Sequence, residues 1–276
     1  MKNAAEDGGW SISGYIMPFT KTTNIRTWYE VNGEGDALVF VHGLGSSSAD
    51  WVYQLPTFKQ YFQVITYDVR GHGQSEKAKP PYSVPLFAQD LAELLRELGI
   101  DKAHIVGVSM GGWIAFEFGA AYPEMTRSLT IINSWADMRL KTFDDYKNYF
   151  QRAVLFRLFS MRKIGETLSQ KLFIKPEQEG LRRDFVESWS KNHKPSYMAS
   201  FNAGVGWTVH DKLDTLKMPV LVVAADEDYT PVSMKEGYTE KLPHGQLVVI
   251  EDSRHATPVE KPEEFNRVLM GFLREV

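Results

Sequence analysis

The sequence contains no cysteine among its 276 residues, so disulfides, thiolate metal sites and a cysteine nucleophile are excluded. It also has no run of 18 or more apolar residues, so no membrane span is predicted. Positive charge is not in excess: 31 Lys and Arg face 35 Asp and Glu, which argues against a nucleic-acid partner. The N-terminus lacks the long apolar segment of a secretory signal. We therefore expect a cytoplasmic enzyme.

The remaining composition, with 43% hydrophobic and 24% charged residues, is ordinary for a globular protein. Several predicted strands are apolar throughout, as strands buried on both faces of a parallel sheet are. Predicted helices alternate with them, which favours an α/β fold with a mostly parallel sheet. The strands are predicted at 15–19, 25–31, 37–41, 63–67, 105–106, 128–133, 219–224 and 246–250, and the helices at 50–61, 84–98 and 261–274.

The alternation of strands and helices fails once, in the region that follows the strand at 128–133. No β-rich run occurs there, and apolar residues recur at helical spacings of three and four, namely Tyr146, Phe150, Val154, Leu158 and Met161. This pattern predicts a helical cap inserted into the α/β core. The predicted organisation is a flexible tail at 1–14, an α/β core made of 15–135 and 213–276, and a helical cap at 136–212.

A candidate nucleophile lies in the pentapeptide Gly107–Gly111, which fits the pattern G-x-S-x-G. An apolar strand end precedes it at 105–106, and a run typical of a buried helix follows it. Strand, sharp turn and helix are the context of a nucleophile elbow, which would present Ser109 at the carboxyl end of the strand and at the positive end of the helix. Ser109 is therefore the predicted nucleophile.

A serine hydroxyl needs a base, and the base needs an acid to orient it. Among the seven histidines, His255 lies in a loop just after the last predicted strand, at the sheet edge where ligands bind in open α/β folds. The loop after the preceding strand offers three acids. We favour Asp228 over Asp226 because it lies farther beyond the strand end, and Glu227 is least favoured because adjacent side chains point apart.

Substrate contacts are predicted from loops and from the cap. The oxyanion of an attacked carbonyl needs two donors, for which the sequence offers the backbone N–H of Met110 and an amide of the Gly-rich loop 42–45. Trp51, Trp135 and Phe150 could line an apolar pocket, with Trp135 the best placed. Between residues 139 and 163, seven basic side chains face two acidic ones. They could attract an anionic substrate, although a solvated helix face is the favoured interpretation.

Five motifs occur in a fixed order along the chain: His42-Gly43, Asp68-x-Arg70-Gly71-x-Gly73-x-Ser75, the turn around Ser109, Asp228-x-x-Pro231 and His255. From about residue 20 to residue 276, the chain therefore resembles the α/β-hydrolase fold superfamily. The resemblance implies an eight-stranded, mostly parallel sheet with a helical cap after strand six. It further implies a catalytic triad of Ser109, Asp228 and His255. The resemblance also implies an oxyanion hole formed by the amides of Leu44 and Met110, and structural roles for Asp68 and Arg70 in holding the loop beside the site.

Within that superfamily, the segments 109–112 and 228–232 are similar to carboxylesterases and 3-oxoadipate enol-lactonases. This similarity implies a cofactor-free and metal-free serine hydrolase, monomeric or homodimeric, that cleaves a small ester or lactone through an acyl-enzyme. A serine at position 109 argues against dehalogenases and epoxide hydrolases, which have aspartate there. Carbon–carbon bond hydrolases usually have tryptophan where this chain has Ala256. That class, a cofactor-free haloperoxidase and a non-enzymatic ligand-binding protein remain as alternatives.

Overall fold

A computed structural model describes residues 19–276, in which eight strands form one sheet. The order across the sheet is β1-β2-β4-β3-β5-β6-β7-β8. Contacts β1–β2 and β2–β4 are antiparallel, and every other neighbouring pair is parallel. The strands are β1 Phe19–Thr22, β2 Ile25–Asn32, β3 Asp36–Val41, β4 Phe62–Tyr67, β5 Ala103–Val108, β6 Thr126–Ile132, β7 Val220–Ala225 and β8 Gly245–Ile250. The predicted tail, and the strand at 15–19 except its last residue, lie outside the described residues.

Helices cover both faces of the sheet, which confirms the α/β architecture. All six residues of β7 are buried, as the apolar pattern of a parallel strand predicts. One face packs on α2 and α3, and the other packs on α10. The helices are α1 Leu55–Phe58, α2 Val84–Glu97, α3 Met110–Ala121, α4 Phe143–Leu158, α5 Met161–Leu172, α6 Glu179–Ser190, α7 Lys194–Gly204, α8 Val232–Thr239, α9 Thr257–Glu260 and α10 Pro262–Leu273.

The prediction of one helix over 50–61 is wrong. The chain forms a 3-10 helix at Ser48–Tyr53 and then the four-residue helix α1, with Pro56 at the start of α1. Proline has no backbone N–H and its ring collides with the preceding turn, so it is tolerated where a helix begins and not inside one. The helices predicted at 84–98 and 261–274 are confirmed within two residues at each end.

Helices α4 to α7 form the insertion between β6 and β7. Backbone hydrogen bonds close its two ends, from Met138 N–H to the Trp207 carbonyl (2.8 Å) and from Val209 N–H to the Ala136 carbonyl (2.9 Å). Aromatic contacts pack the cap, including Phe156 against Tyr197 with ring centroids 5.2 Å apart. Within residues 19–276, no helix is long and apolar enough to cross a membrane. The helical insertion after β6 is thus confirmed.

Candidate active site

Ser109 occupies a strained turn between β5 and α3. Its φ of 56° and ψ of −116° lie where side chains with a Cβ are disfavoured. The turn needs glycines: a Cβ on Gly107 would lie 2.1 Å from the Gly111 carbonyl oxygen, and a Cβ on Gly111 would lie 2.1 Å from the Val41 carbonyl oxygen. The strand, turn and helix therefore place Ser109 at the carboxyl edge of the sheet, at the positive end of α3.

His255 and Asp228 come together at the same edge of the sheet. Nδ1 of His255 donates to Oδ1 of Asp228 over 2.9 Å, and the side chain of Asp228 is fully buried. Burial alone would raise the pKa of Asp228, but the hydrogen bond from His255 and the charges of His255 and Lys235 outweigh it and hold the pKa below its ordinary value. An ionised Asp228 keeps the proton of His255 on Nδ1 and leaves Nε2 as the basic atom.

The two competing acids have other partners. Asp226 accepts the backbone N–H groups of Asp252 and Ser253, so its carboxylate closes the turn after β8. Glu227 forms an ion pair with Arg254 at 2.8 Å. Of the three acids in this loop, Asp228 is therefore the one that the structure brings to His255.

Lys235 is a buried cation behind Asp228 that the sequence analysis missed. Its Nζ lies 3.0 Å from Oδ2 of Asp228 and 2.8 Å from the Thr230 carbonyl oxygen, and neither side chain of the ion pair is exposed. Burial lowers the pKa of Lys235, and the charge of Asp228 opposes that shift. Asp228 thus bonds to His255 with one oxygen and to Lys235 with the other. Lys235 lies on α8, four residues after the motif Asp228-x-x-Pro231, and a lysine on a helix gives no sequence signal that it is buried against a carboxylate.

Tyr229 is a second residue without an assigned role in the sequence analysis, and its hydroxyl lies 2.8 Å from Nε2 of His255. Because Nε2 is the acceptor atom, the Tyr229 hydroxyl donates this bond. The two rings are also in contact, with centroids 4.3 Å apart and ring planes tilted by 30°. The residue is 57% exposed, yet its hydroxyl end is inside the site. There, desolvation and the charge of Asp228 raise its pKa, and a hydrogen bond with Ser109 opposes the rise. The Tyr229 hydroxyl therefore occupies Nε2 of His255, the atom that would act as the base for Ser109.

The loop 42–45 lies against the candidate nucleophile, since a Cβ on Gly43 would be 3.5 Å from the Cβ of Ser109. His42 holds this loop from within the core. Its Nδ1 donates to the Gly43 carbonyl (2.7 Å), and its Nε2 accepts the N–H of Val69 (3.0 Å). Burial lowers the pKa of His42, which favours this neutral form. A fixed loop of this kind suits the predicted oxyanion amide of Leu44, while Met110 offers the first, unpaired amide of α3.

The loop after β4 braces this arrangement through Asp68 and Arg70. The carboxylate of Asp68 accepts the backbone N–H groups of Ser48 (2.8 Å) and Gln74 (2.6 Å). Arg70 forms two hydrogen bonds with Asp90 on α2, at 2.8 and 2.7 Å, in a buried ion pair. Both contacts are internal, in agreement with the structural roles expected from the sequence.

Asn133, just after β6, ties three loops of the site together. Its Nδ2 donates to the carbonyls of Arg254 and His255 and to the Thr257 hydroxyl, at 3.1, 3.1 and 2.9 Å. Its Oδ1 accepts the N–H of Ala225 at the end of β7. This side chain was also missed, although a buried polar residue directly after an apolar strand was a usable signal. Asn133 attaches the loop that contains His255 to the edge of the sheet.

The three predicted pocket aromatics have different positions. Trp51 is buried in the core, 4.6 Å from the ring of Phe40, so the prediction that it contacts substrate is not supported by its place in the fold. Phe150 is 62% exposed on the outer side of α4. Trp135 is half-buried beside the site, with its ring 5.8 Å from that of Tyr229. Trp135 is thus the one of the three that lies next to Tyr229, the neighbour of His255.

The basic residues of the cap are mostly neutralised at the surface. Four of the seven form ion pairs with neighbouring acids, namely Arg139, Lys141, Arg162 and Lys163. Arg152 on α4 instead lies over the rings of Phe156 and Phe201, at 5.8 and 5.6 Å, and its charge acts on Tyr229. The four paired residues therefore fit the interpretation that these basic side chains form a solvated helix surface. Arg152 differs, because its positive charge opposes the rise in the pKa of Tyr229 beside His255.

Comparisons with known proteins agree with this geometry. The chain is 26% identical to a putative carbamate hydrolase RutD of Azorhizobium caulinodans, with coverage of 94% of this chain and 99% of the relative. It is 28% identical to 3-oxoadipate enol-lactonase 1 of Acinetobacter baylyi, with coverage of 90% and 92%. A thermophilic esterase from Thermogutta terrifontis superposes with a TM-score of 0.83 at 26% identity, with coverage of 94% and 97%. The family model described as alpha/beta hydrolase fold matches residues 36–262, and the chain therefore belongs to the α/β-hydrolase fold family.

Proposed function

We propose that this protein is a serine hydrolase that cleaves a carboxylic ester or lactone through an acyl-enzyme on Ser109. The observation that carries the proposal is the hydrogen bond between His255 and the buried Asp228, at the same carboxyl edge of the sheet as the strained turn that holds Ser109. Similarity to an enol-lactonase and an esterase supports the substrate class. The cofactor-free mechanism needs only the groups already described.

In the proposed cycle, Nε2 of His255 takes the proton of Ser109 as the hydroxyl attacks the substrate carbonyl. The amides of Leu44 and Met110 stabilise the oxyanion, each by roughly 3 kcal/mol. His255 then protonates the leaving alcohol and activates the water that releases the acyl group. Asp228 stabilises the imidazolium that forms in each half of the cycle.

A panel of substrates tests the class of reaction. We expect turnover of short p-nitrophenyl esters or of lactones, and labelling of the enzyme by the acyl group. A carbamate substrate is the second candidate, because several relatives are described as putative carbamate hydrolases. Turnover of carbamates alone would move the assignment to that class. Binding of esters without turnover would instead favour a non-enzymatic ligand-binding protein.

Replacing Tyr229 with phenylalanine is expected to raise kcat/KM for p-nitrophenyl acetate about threefold to tenfold. The variant keeps the ring that contacts His255 but removes the hydroxyl bonded to Nε2, a bond of about 1 kcal/mol that Ser109 must replace before it can transfer its proton. Steady-state kinetics on the variant and wild type measure the effect. A large fall in activity would show instead that the hydroxyl relays the proton from Ser109 to His255.

Replacing Lys235 with methionine is expected to move the acid limb of the pH profile of kcat/KM upward by about one pH unit. Methionine keeps most of the side-chain volume but removes the cation that shares Asp228 with His255. An uncompensated carboxylate favours the protonated imidazole, so the base is lost at a higher pH. If kcat/KM falls by the same factor at every pH and the acid limb stays at the same pH, Lys235 only supports packing.

A further inference from the structure

Helix α4 exposes six large apolar side chains on the outside of the cap. Phe143 and Leu158, at its two ends, are 82% and 72% exposed. Together the exposed side chains present roughly 700 Å² of surface, more than the largest apolar patch of most monomers. We call this surface the α4 face; its apolar members are Phe143, Tyr146, Phe150, Val154, Leu155 and Leu158, and its charged members are Asp144, Lys147 and Arg157.

The opposite side of α4 is already occupied by the protein's own cap. Tyr149 stacks on Phe201 with ring centroids 5.6 Å apart, and its hydroxyl bonds to Asn202 at 3.1 Å. Phe156, the one buried residue of α4, packs on Tyr197. With 3.6 residues per turn, a helix anchored at these positions directs the α4 face away from the molecule. The exposed surface is therefore not needed to hold the cap on its core.

We propose that the α4 face binds the α4 face of a second copy of this chain, with the two helices antiparallel about a two-fold axis. The axis passes between Phe150 and Gln151. In this register Phe143 meets Leu158 of the other copy and Tyr146 meets Leu155, so each of these apolar side chains meets an apolar one. A surface that matches itself in this way is what an isologous dimer contact requires.

The charges of the α4 face select a second copy over a lipid surface. In the same register Asp144 lies opposite Arg157, so two equivalent ion pairs form across the axis. Within residues 19–276, neither side chain has an oppositely charged partner within 4.0 Å. Lys147 lies opposite Val154, where its aliphatic stem covers apolar surface. An anionic membrane would attract Lys147 and Arg157 but would leave Asp144 facing negative headgroups, whereas the two-fold contact pairs Asp144 with Arg157.

The size of the α4 face is sufficient for a dimer. Sixteen residues of helix extend over about 24 Å. Complete coverage of roughly 700 Å² on each of two copies buries at most about 1,400 Å² in total, which is within the range of specific interfaces. The proposed contact is separate from the Ser109 site and does not depend on the proposed reaction.

Sedimentation velocity and light scattering between about 1 and 100 μM test the proposal. We expect wild type to have twice the mass of the chain at the upper concentrations. Leu158→Asp should abolish the dimer, since it places an acid against Phe143 of the other copy. Tyr61→Asp, at an exposed aromatic remote from the cap, is the matched control and should leave it intact. Circular dichroism on each variant reports whether the fold is kept.

Reversing the charges of Asp144 and Arg157 tests the proposed register of the two helices more specifically. Asp144→Arg alone and Arg157→Asp alone should each weaken the dimer about tenfold, because each creates two like-charge contacts. The double variant should recover wild-type dimerisation within about threefold. Both reversals oppose the helix dipole, so a purely structural role would make the double variant the worst of the three.

A monomer at every concentration, or a dimer unaffected by Leu158→Asp, would overturn the proposal. Flotation of a monomeric wild type with vesicles of phosphatidylglycerol and phosphatidylcholine, lost in Leu158→Asp, would assign the α4 face to lipid instead. A change in dimerisation caused only by removal of residues 1–18 would assign it to the N-terminal segment.

Discussion

Ser109→Ala is expected to lower kcat/KM for p-nitrophenyl acetate by a factor of about 10⁴ to 10⁶, to the level that binding and oxyanion stabilisation leave. The substitution removes one oxygen from a turn whose backbone is set by Gly107 and Gly111, so the fold should be unchanged. Steady-state kinetics with a sensitive product assay measure the loss, and the melting temperature reports the fold.

The matched control is Ser188→Ala, at an exposed position on α6. It should retain wild-type kcat/KM and melting temperature. A variant at Ser109 that retains more than a few per cent of activity would mean that another group is the nucleophile, and the proposed acyl-enzyme would then be wrong.

Asp228→Asn is expected to lower kcat/KM by a factor of about 10³ to 10⁴, because a neutral amide neither fixes the tautomer of His255 nor stabilises its charged form. Asp226→Asn should lose less than about tenfold, since that carboxylate bonds to backbone amides of the turn after β8. Kinetics and thermal unfolding on both variants make the comparison. Equal losses in the two variants would contradict the assignment of the acid.

The Asp228 variant needs its own stability control. It leaves Lys235 buried without a negative partner, which costs folding free energy on the order of 3 to 5 kcal/mol. The double variant Asp228→Asn with Lys235→Met removes the isolated charge. If the double variant regains thermal stability but not activity, the loss belongs to the chemistry and not to unfolding.

The sequence was sufficient wherever a residue type and a local pattern acted together. The apolar runs of β3 to β7 follow from burial on both faces, and glycines at 107 and 111 follow from the tight turn around Ser109. His255 and Asp228 are predictable as neighbours because parallel strands end at one edge of the sheet, which brings the loops after β7 and β8 together. These are consequences of local chemistry and topology.

The residues that were missed act through contacts between elements distant in sequence. Lys235 meets Asp228 only because α8 packs back on the end of β7, and a lysine on a short helix is most often a surface residue. Asn133 contacts loops more than 90 residues away. The place of Trp51 has the same origin: an aromatic after a Gly-rich loop can line a cleft or enter the core, and Trp51 packs against Phe40 in the core.

The central claim is that Ser109 is a nucleophile activated by His255, and covalent labelling tests it most directly. Wild type is treated with a fluorophosphonate and the adduct is located by mass spectrometry of its peptides. We predict one adduct, on Ser109, with labelling abolished in Ser109→Ala and slowed about 10³-fold or more in His255→Ala. An adduct on another residue, or no adduct on a folded protein that hydrolyses esters, would contradict it.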